Sequence, residues 1–140
     1  MASSGPAGNV EQVGRMSASA FSLFAFGFYS IALGLTLMIV PNWLFGLVGL
    51  PPTQEVWIRV AGMLLFCLGI YYILAGRKGL TSLIRLSVYT RASVILFFTA
   101  FVLFGLAKPV VILLGVVDLT AAIWTAVALR SERAIRLGSG

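Results

Sequence analysis

Three ionisable residues interrupt long apolar stretches of this sequence: Arg59, Arg91 and Asp118. A charged side chain inside a hydrocarbon layer costs about 3 kcal/mol on insertion scales, so each of them requires a partner or water. A guanidinium group binds a carboxylate through paired hydrogen bonds, and a tyrosine hydroxyl such as that of Tyr29 can join such a pair. These residue types predict a polar cluster of Arg59, Arg91, Asp118 and Tyr29 inside a helical bundle.

Two roles are open to this cluster. Its charges can form a buried ion pair that fixes the register of the helices, as buried polar groups do in some proteins. Alternatively, its excess of one positive charge can bind an anionic or carbonyl-bearing ligand, such as a quinone or a lipid headgroup. The residue types alone do not choose between a structural role and a ligand-binding role.

The sequence lacks the residues that several other kinds of chemistry require. The sequence has no histidine and a single cysteine, Cys67, so it predicts no metal site, no imidazole-bound haem and no disulfide within the chain. It also lacks a glycine-rich phosphate loop and a nucleophile elbow. We therefore expect no catalytic residues, and no cofactor other than the candidate lipid or quinone.

The composition is typical of a membrane protein. Apolar residues make up 60% of the 140 residues, charged residues only 10%, and the mean hydropathy is +1.05. Soluble domains carry about 25% charged residues. The net charge of +6 comes from basic residues that flank the apolar stretches and form no soluble basic domain, so we expect no nucleic-acid partner.

Four apolar stretches are long enough to cross a hydrocarbon layer of roughly 30 Å as helices, at about 1.5 Å per residue. They predict one transmembrane domain over 17–131, with helices at 17–40, 55–76, 83–106 and 110–130. The apolar segment 42–52 is broken by glycine and proline, so we expect an interfacial loop there. Residues 1–16 are predicted to be a disordered cytoplasmic tail, and 132–140 a cytoplasmic C-terminal tail.

The connections and the basic residues predict the topology. Short connections make consecutive helices antiparallel neighbours, which gives an up-down-up-down bundle. Lysine and arginine in short loops stay on the cytoplasmic side of a membrane, so their distribution predicts that both termini are cytoplasmic. The basic residues on the predicted cytoplasmic side are Arg77, Lys78, Arg85, Arg130, Arg133 and Arg136.

With this topology, the residues of the cluster start at different depths below the outer ends of their helices. The depths are roughly 5 Å for Arg59, 12 Å for Asp118, 16 Å for Tyr29 and 22 Å for Arg91. Asp118 is therefore expected between the two arginines.

Small residues recur at helical spacing and indicate where helix backbones approach closely. These residues are Gly27 and Gly34, Gly62 and Gly69, and Gly115, Ala122 and Thr125. We expect them to pack helices within the bundle, in preference to forming a dimer interface.

The order of several short motifs resembles that of a known group of proteins. The motifs are RVAG at 59–62, GIYY at 69–72, the segment 85–91 with an arginine at each end, and GVVDL at 115–119 followed by Trp124. Over roughly 21–130 the chain resembles the small four-helix DoxX-like and BphX-like bacterial membrane proteins. This resemblance implies a bacterial inner-membrane protein, associated in some members with a quinone-linked oxidoreductase as a membrane subunit, and it supplies no catalytic residues.

For the function, we expect a non-catalytic accessory or structural subunit of a larger membrane complex, whose Arg/Asp cluster holds a lipid or a quinone. Its expected partners are the lipid bilayer and other membrane subunits or further copies of itself. The alternative is a small-solute or ion permease, a homo-oligomer that uses Arg59, Arg91 and Asp118 along a path. A lipid-modifying enzyme is a third hypothesis, for which the sequence offers no convincingly placed nucleophile or base.

Overall fold

The computed structural model describes residues 16–140, and this part of the chain is all-helical, without strands. Its helices are α1 (Ala18–Ile39), α2 (Pro41–Leu47), α3 (Val56–Arg77), α4 (Thr81–Leu103) and α5 (Val111–Gly138). Within this range, four helices, α1, α3, α4 and α5, are long and apolar enough to cross a membrane. The predicted all-helical class with four candidate spans is therefore confirmed, whereas the predicted tail at 1–16 lies, apart from Met16, outside the described residues.

The ends of the long helices differ from the prediction mainly in the second half of the chain. α1 and α3 begin and end within one residue of the predicted bounds. α4 ends at Leu103, three residues earlier than predicted, because Gly105 takes the left-handed conformation (φ +71°) and the Leu106 N–H donates to the Phe101 carbonyl at 2.8 Å. This arrangement is the usual glycine termination of a helix.

The segment 132–140, predicted as a C-terminal tail, is helical over most of its length. α5 continues to Gly138, and its 28 residues make it the longest helix of the described range. The sequence between Arg130 and Gly138 contains neither glycine nor proline and is rich in good helix formers, so nothing in it ends the helix earlier.

The predicted loop at 42–52 is also partly wrong, because its first half forms the short helix α2. Pro41 occupies the first helical position, where its missing N–H costs nothing. Gly49 (φ +70°) ends the helix, with the Leu50 N–H donating to the Phe45 carbonyl at 2.8 Å. Pro41 and Gly49 thus mark the two ends of a short helix.

α1 and α3 form the most extensive helix contact, and they meet along glycines. A Cβ atom on Gly34 would lie 2.6 Å from the carbonyl oxygen of Gly62, and one on Gly69 would lie 2.7 Å from that of Gly27. Contacts this close leave no room for a side chain, and their reversed order along the two helices makes α1 and α3 antiparallel. The predicted glycine packing within the chain is confirmed for this pair.

The second extensive contact joins α4 to α5, where Gly115 lies against Ile95. α1 links the two pairs because it also contacts α5, whereas α3 and α4 touch only slightly. A small apolar core lies between the pairs; its members are Ala20, Leu23, Ala75 and Ile84, with Tyr72 and Leu129 packed against them.

The outer faces of the long helices carry many exposed apolar side chains. Leu103 is 81% exposed and Trp57 72% exposed, and most of the other large apolar residues of α3 and α4 are also exposed. A soluble monomer rarely exposes a continuous apolar surface of this extent. The surface is suited to hydrocarbon, in agreement with four membrane-spanning helices.

Replacing Gly34 with alanine should weaken the contact between α1 and α3. The added Cβ atom would fall on the backbone of α3, which can relieve the overlap only by moving the helix, so we expect a loss of about 1–3 kcal/mol in stability. Thermal unfolding of the detergent-solubilised protein measures this. The matched control is Gly46→Ala in α2, where an added Cβ meets nothing within 4 Å. If both substitutions lower the unfolding temperature equally, the glycine contact does not hold the two helices together.

Candidate functional site

Arg91 lies at the centre of the candidate site and is only 2% exposed. It sits midway along α4, roughly 18 Å from the end of the helix at Leu103. Its guanidinium carbon Cζ lies 3.9 Å from the centre of the Phe26 ring on α1, and its Nη1 donates to the hydroxyl of Thr125 on α5 at 3.5 Å. One side chain therefore contacts two other helices.

The guanidinium of Arg91 is only partly satisfied. Its Nε and Nη2 atoms are inaccessible to solvent and have no hydrogen-bond partner within residues 16–140. An unsatisfied buried donor costs about 1–3 kcal/mol, and the desolvated cation–π contact with Phe26 offsets about 2 kcal/mol of this penalty. The guanidinium therefore keeps two free donor positions, which a ligand can reach only if neighbouring side chains move.

Asp118 is half-buried on α5 and forms no direct ion pair with the described residues. No guanidinium nitrogen lies within 4.0 Å of its carboxylate in the described part of the chain. It nevertheless lies within electrostatic range of Arg91, Tyr29 and Tyr72. Three of the four residues predicted to cluster are thus in one region, but the carboxylate and the guanidinium do not touch.

The inclusion of Arg59 in this cluster is wrong. Arg59 is exposed in the first turn of α3, and its Nη1 donates to the backbone carbonyls of Met38 and, at 3.4 Å, Ile39. The last carbonyls of a helix have no partner within it and carry the negative end of the helix dipole, so a cation is favourable there. Arg59 therefore caps the end of α1 instead of approaching Asp118.

A chain of hydrogen bonds, here called the polar seam, leads from Arg91 along the contact between α1 and α5. Thr125 shares a hydrogen bond of 2.7 Å with Ser22, whose hydroxyl is also 2.8 Å from the carbonyl of Ser19. The N–H and the hydroxyl of Ser19 donate to the two carboxylate oxygens of Glu132, at 2.9 Å and 2.8 Å. Glu132 thus satisfies a free N–H in the first turn of α1 from another helix.

Sequence reasoning missed the polar seam, although its spacing was visible. The polar residues Asp118, Thr125 and Glu132 are seven residues apart and therefore share a face of α5. Ser19 and Ser22 are three apart on one face of α1. Glu132 was overlooked because it lies in the segment predicted to be a tail.

Four of the six predicted basic residues gather in one place. Arg85, Arg130, Arg133 and Arg136 line a cleft of about 610 Å³ between the start of α4 and the end of α5. Arg77 and Lys78 lie outside it, at the turn that follows α3.

Candidate metal ligands do not converge in the described range. No group of three or more His, Cys, Asp or Glu side chains in residues 16–140 is arranged to hold a metal ion. Cys67 is exposed on α3 as a free thiol. The polar groups of this site are Arg91, Asp118 and the neighbouring hydroxyl groups, which can form hydrogen bonds and attract charge.

No family model, no curated protein and no solved structure gives a significant match to this chain. Membership of the DoxX-like family accordingly remains a prediction from the motifs.

Replacing Glu132 with alanine should destabilise the protein by about 1–3 kcal/mol, since the buried N–H and hydroxyl of Ser19 would lose their acceptors. Thermal unfolding in detergent provides the measurement. Glu55→Ala is the matched control, because Glu55 is exposed and its side chain makes no capping hydrogen bond at the start of α3. Equal unfolding temperatures for the two variants would mean that the contact between Glu132 and Ser19 contributes nothing to stability.

Proposed function

We propose that the chain is a non-catalytic integral membrane subunit of a larger complex, and that it holds a lipid or a quinone at Arg91. The observation that supports this most directly is the pair of unsatisfied donors, Nε and Nη2, of a guanidinium buried midway along a candidate span. Hydrocarbon offers no acceptor to such donors, whereas a quinone carbonyl or a lipid ester or phosphate oxygen does.

The surroundings of Arg91 have the composition of a site for an amphipathic ligand. Phe26 packs against Tyr29 and Tyr72, with ring centres 5.3 Å and 5.8 Å apart. Ligand sites are commonly lined by aromatic and apolar side chains with a few well-placed polar groups. Tyr29 is 37% exposed, so this aromatic group extends from the buried guanidinium to the outer face of the bundle.

Asp118 gives the site a second polar group. Since it lies within electrostatic range of Arg91 without pairing with it, the guanidinium keeps its free donors. A direct ion pair would instead occupy them and would favour the purely structural role of the cluster.

In the membrane, the proposed arrangement is an up-down-up-down bundle in a bacterial inner membrane, with both termini in the cytoplasm. The basic residues support this orientation, because the turn after α3, the start of α4 and the end of α5 carry most of them. Arg59 and Lys108 alone lie at the opposite helix ends.

The outer faces of α3 and α4 are the proposed contact surfaces for partner subunits. These two helices touch each other only slightly and expose large apolar side chains. A partner helix can pack on such a surface as readily as lipid can. The resemblance to DoxX-like proteins adds a quinone-linked oxidoreductase as the expected kind of complex.

A permease has less support than a subunit. That hypothesis needs Arg59, Arg91 and Asp118 along one path, and Arg59 is hydrogen-bonded to the end of α1 instead. We therefore propose the subunit role alone.

Purification of the tagged protein from its native membranes in a mild detergent tests the proposal. We expect a companion polypeptide at a fixed ratio and about one quinone or lipid molecule per chain, identified by mass spectrometry of the protein and of its organic extract. Arg91→Gln should lower the retained ligand about ten-fold or more, since it removes charged hydrogen-bond donors. Arg59→Gln is the matched control, because it makes the same change outside the cluster and should leave ligand retention unchanged.

Two results would contradict the proposal. A wild-type protein that purifies as a monomer without a companion polypeptide argues against a subunit, and equal ligand loss in both variants argues against a site at Arg91. If Arg91→Gln does not fold, Arg91→Lys provides the comparison. It keeps the charge but cannot present two parallel donors, and it should still lose ligand.

A further inference from the structure

The cleft between α4 and α5 carries an unusual concentration of positive charge. Arg130, Arg133 and Arg136 lie at intervals of three residues on the last turns of α5, and Arg85 faces them from the start of α4. The cleft encloses about 610 Å³, which is enough for a headgroup-sized molecule.

The part of the chain that the structure describes supplies these arginines with no carboxylate partners. Glu132 is the one acidic residue among those lining the cleft, and both of its oxygens are already bound by Ser19. Within residues 16–140, no carboxylate oxygen lies within 4.0 Å of the nitrogen atoms of these four side chains. The described residues of the cleft carry four guanidinium groups and one carboxylate, a local charge of +3 that favours the binding of an anion.

The helix dipoles account for only part of this arrangement. A cation in the last turn of a helix is favourable, which explains Arg136. Arg85 lies four residues from the N-terminal end of α4, where the helix dipole does not favour a cation. Its place opposite the arginines of α5 adds to the positive charge of the cleft.

The cleft also has an apolar side. Val88, Ala126 and Leu129 are half-buried in its wall. Val88 and Ala126 lie one turn further into the spans than Arg85 and Arg130, and Tyr89 is exposed beside them. Tyrosine is enriched at the boundary between hydrocarbon and headgroups. The occupant that matches both sides is amphipathic, with an anionic head and an apolar body.

The length of α5 places the arginines at headgroup level. Its 28 residues extend about 42 Å, whereas the hydrocarbon layer is about 30 Å thick. The last turns of α5 therefore project beyond the hydrocarbon, into the layer where lipid phosphates lie. A free phosphate would satisfy the arginines, but it would leave the apolar wall without an occupant.

We propose that this cleft binds the phosphate headgroup of an anionic phospholipid, whose acyl chains lie along the apolar outer faces of α4 and α5. This site is separate from Arg91 and does not depend on the subunit role proposed above. The arginines supply charge-assisted hydrogen bonds to the phosphate oxygens.

Native mass spectrometry of the delipidated protein in a neutral detergent tests the site. Phosphatidylglycerol and phosphatidylcholine with the same acyl chains are titrated separately, and the bound fraction is measured. We expect a preference for phosphatidylglycerol, with affinity falling about 10- to 30-fold in the double variant Arg130→Gln/Arg133→Gln. The matched control, Arg77→Gln/Lys78→Gln, removes the same charge from the same end of the bundle but outside the cleft, and should keep the wild-type affinity.

A third titration distinguishes lipid from free phosphate, with glycerol 3-phosphate as the soluble competitor. Weak competition, needing a large molar excess over phosphatidylglycerol, supports the lipid site. Displacement of the lipid at equal concentration would overturn it, as would equal losses in the two double variants. Thermal unfolding of both variants accompanies the titrations, and the single substitution Arg85→Gln replaces the double variant if the latter unfolds.

Discussion

Helices in hydrocarbon gain little from burying apolar side chains against each other, because the lipid is just as apolar. α1 holds this bundle together by two other means. Its glycine face allows backbone contact with α3, and its serine face forms hydrogen bonds with α5. Without the glycine contact the two helices would stand further apart. The position of Phe26 opposite Arg91 depends on α1 being held from both sides.

The hydrogen-bonding capacity of Arg91 is only partly used by the residues that surround it. The ring of Phe26 and the hydroxyl of Thr125 account for part of its requirement, and Nε and Nη2 find no hydrogen-bond partner within residues 16–140. By contrast, Glu132 has an N–H or a hydroxyl donor at each carboxylate oxygen. The two ends of the polar seam therefore differ. The chain itself supplies hydrogen-bond donors to Glu132, whereas Arg91 keeps donors that a ligand can use.

The sequence predicted the spans well where apolar composition alone determines them, as in α1 and α3. The prediction failed where the same residue types occur in two kinds of structure. Pro41 and Gly49 mark the ends of a short helix, although proline and glycine are as common in loops. The site was predicted in part because depth along a helix follows from counting residues, whereas the direction of a side chain does not. Arg59 was therefore assigned to Asp118 although the end of α1 was nearer, and Glu132 was overlooked in a supposed tail.

The hydrogen bonds between Ser19 and Glu132 join two helices that are synthesised at different times. α1 is synthesised before α5, so the Ser19 N–H and hydroxyl cannot meet their carboxylate until α5 has been synthesised as far as Glu132. Until then, the start of α1 depends on water or on the hydroxyl of Ser17. Insertion of α5 therefore completes the hydrogen bonds at the start of α1, and a chain that stops before Glu132 would leave the Ser19 N–H and hydroxyl without these acceptors.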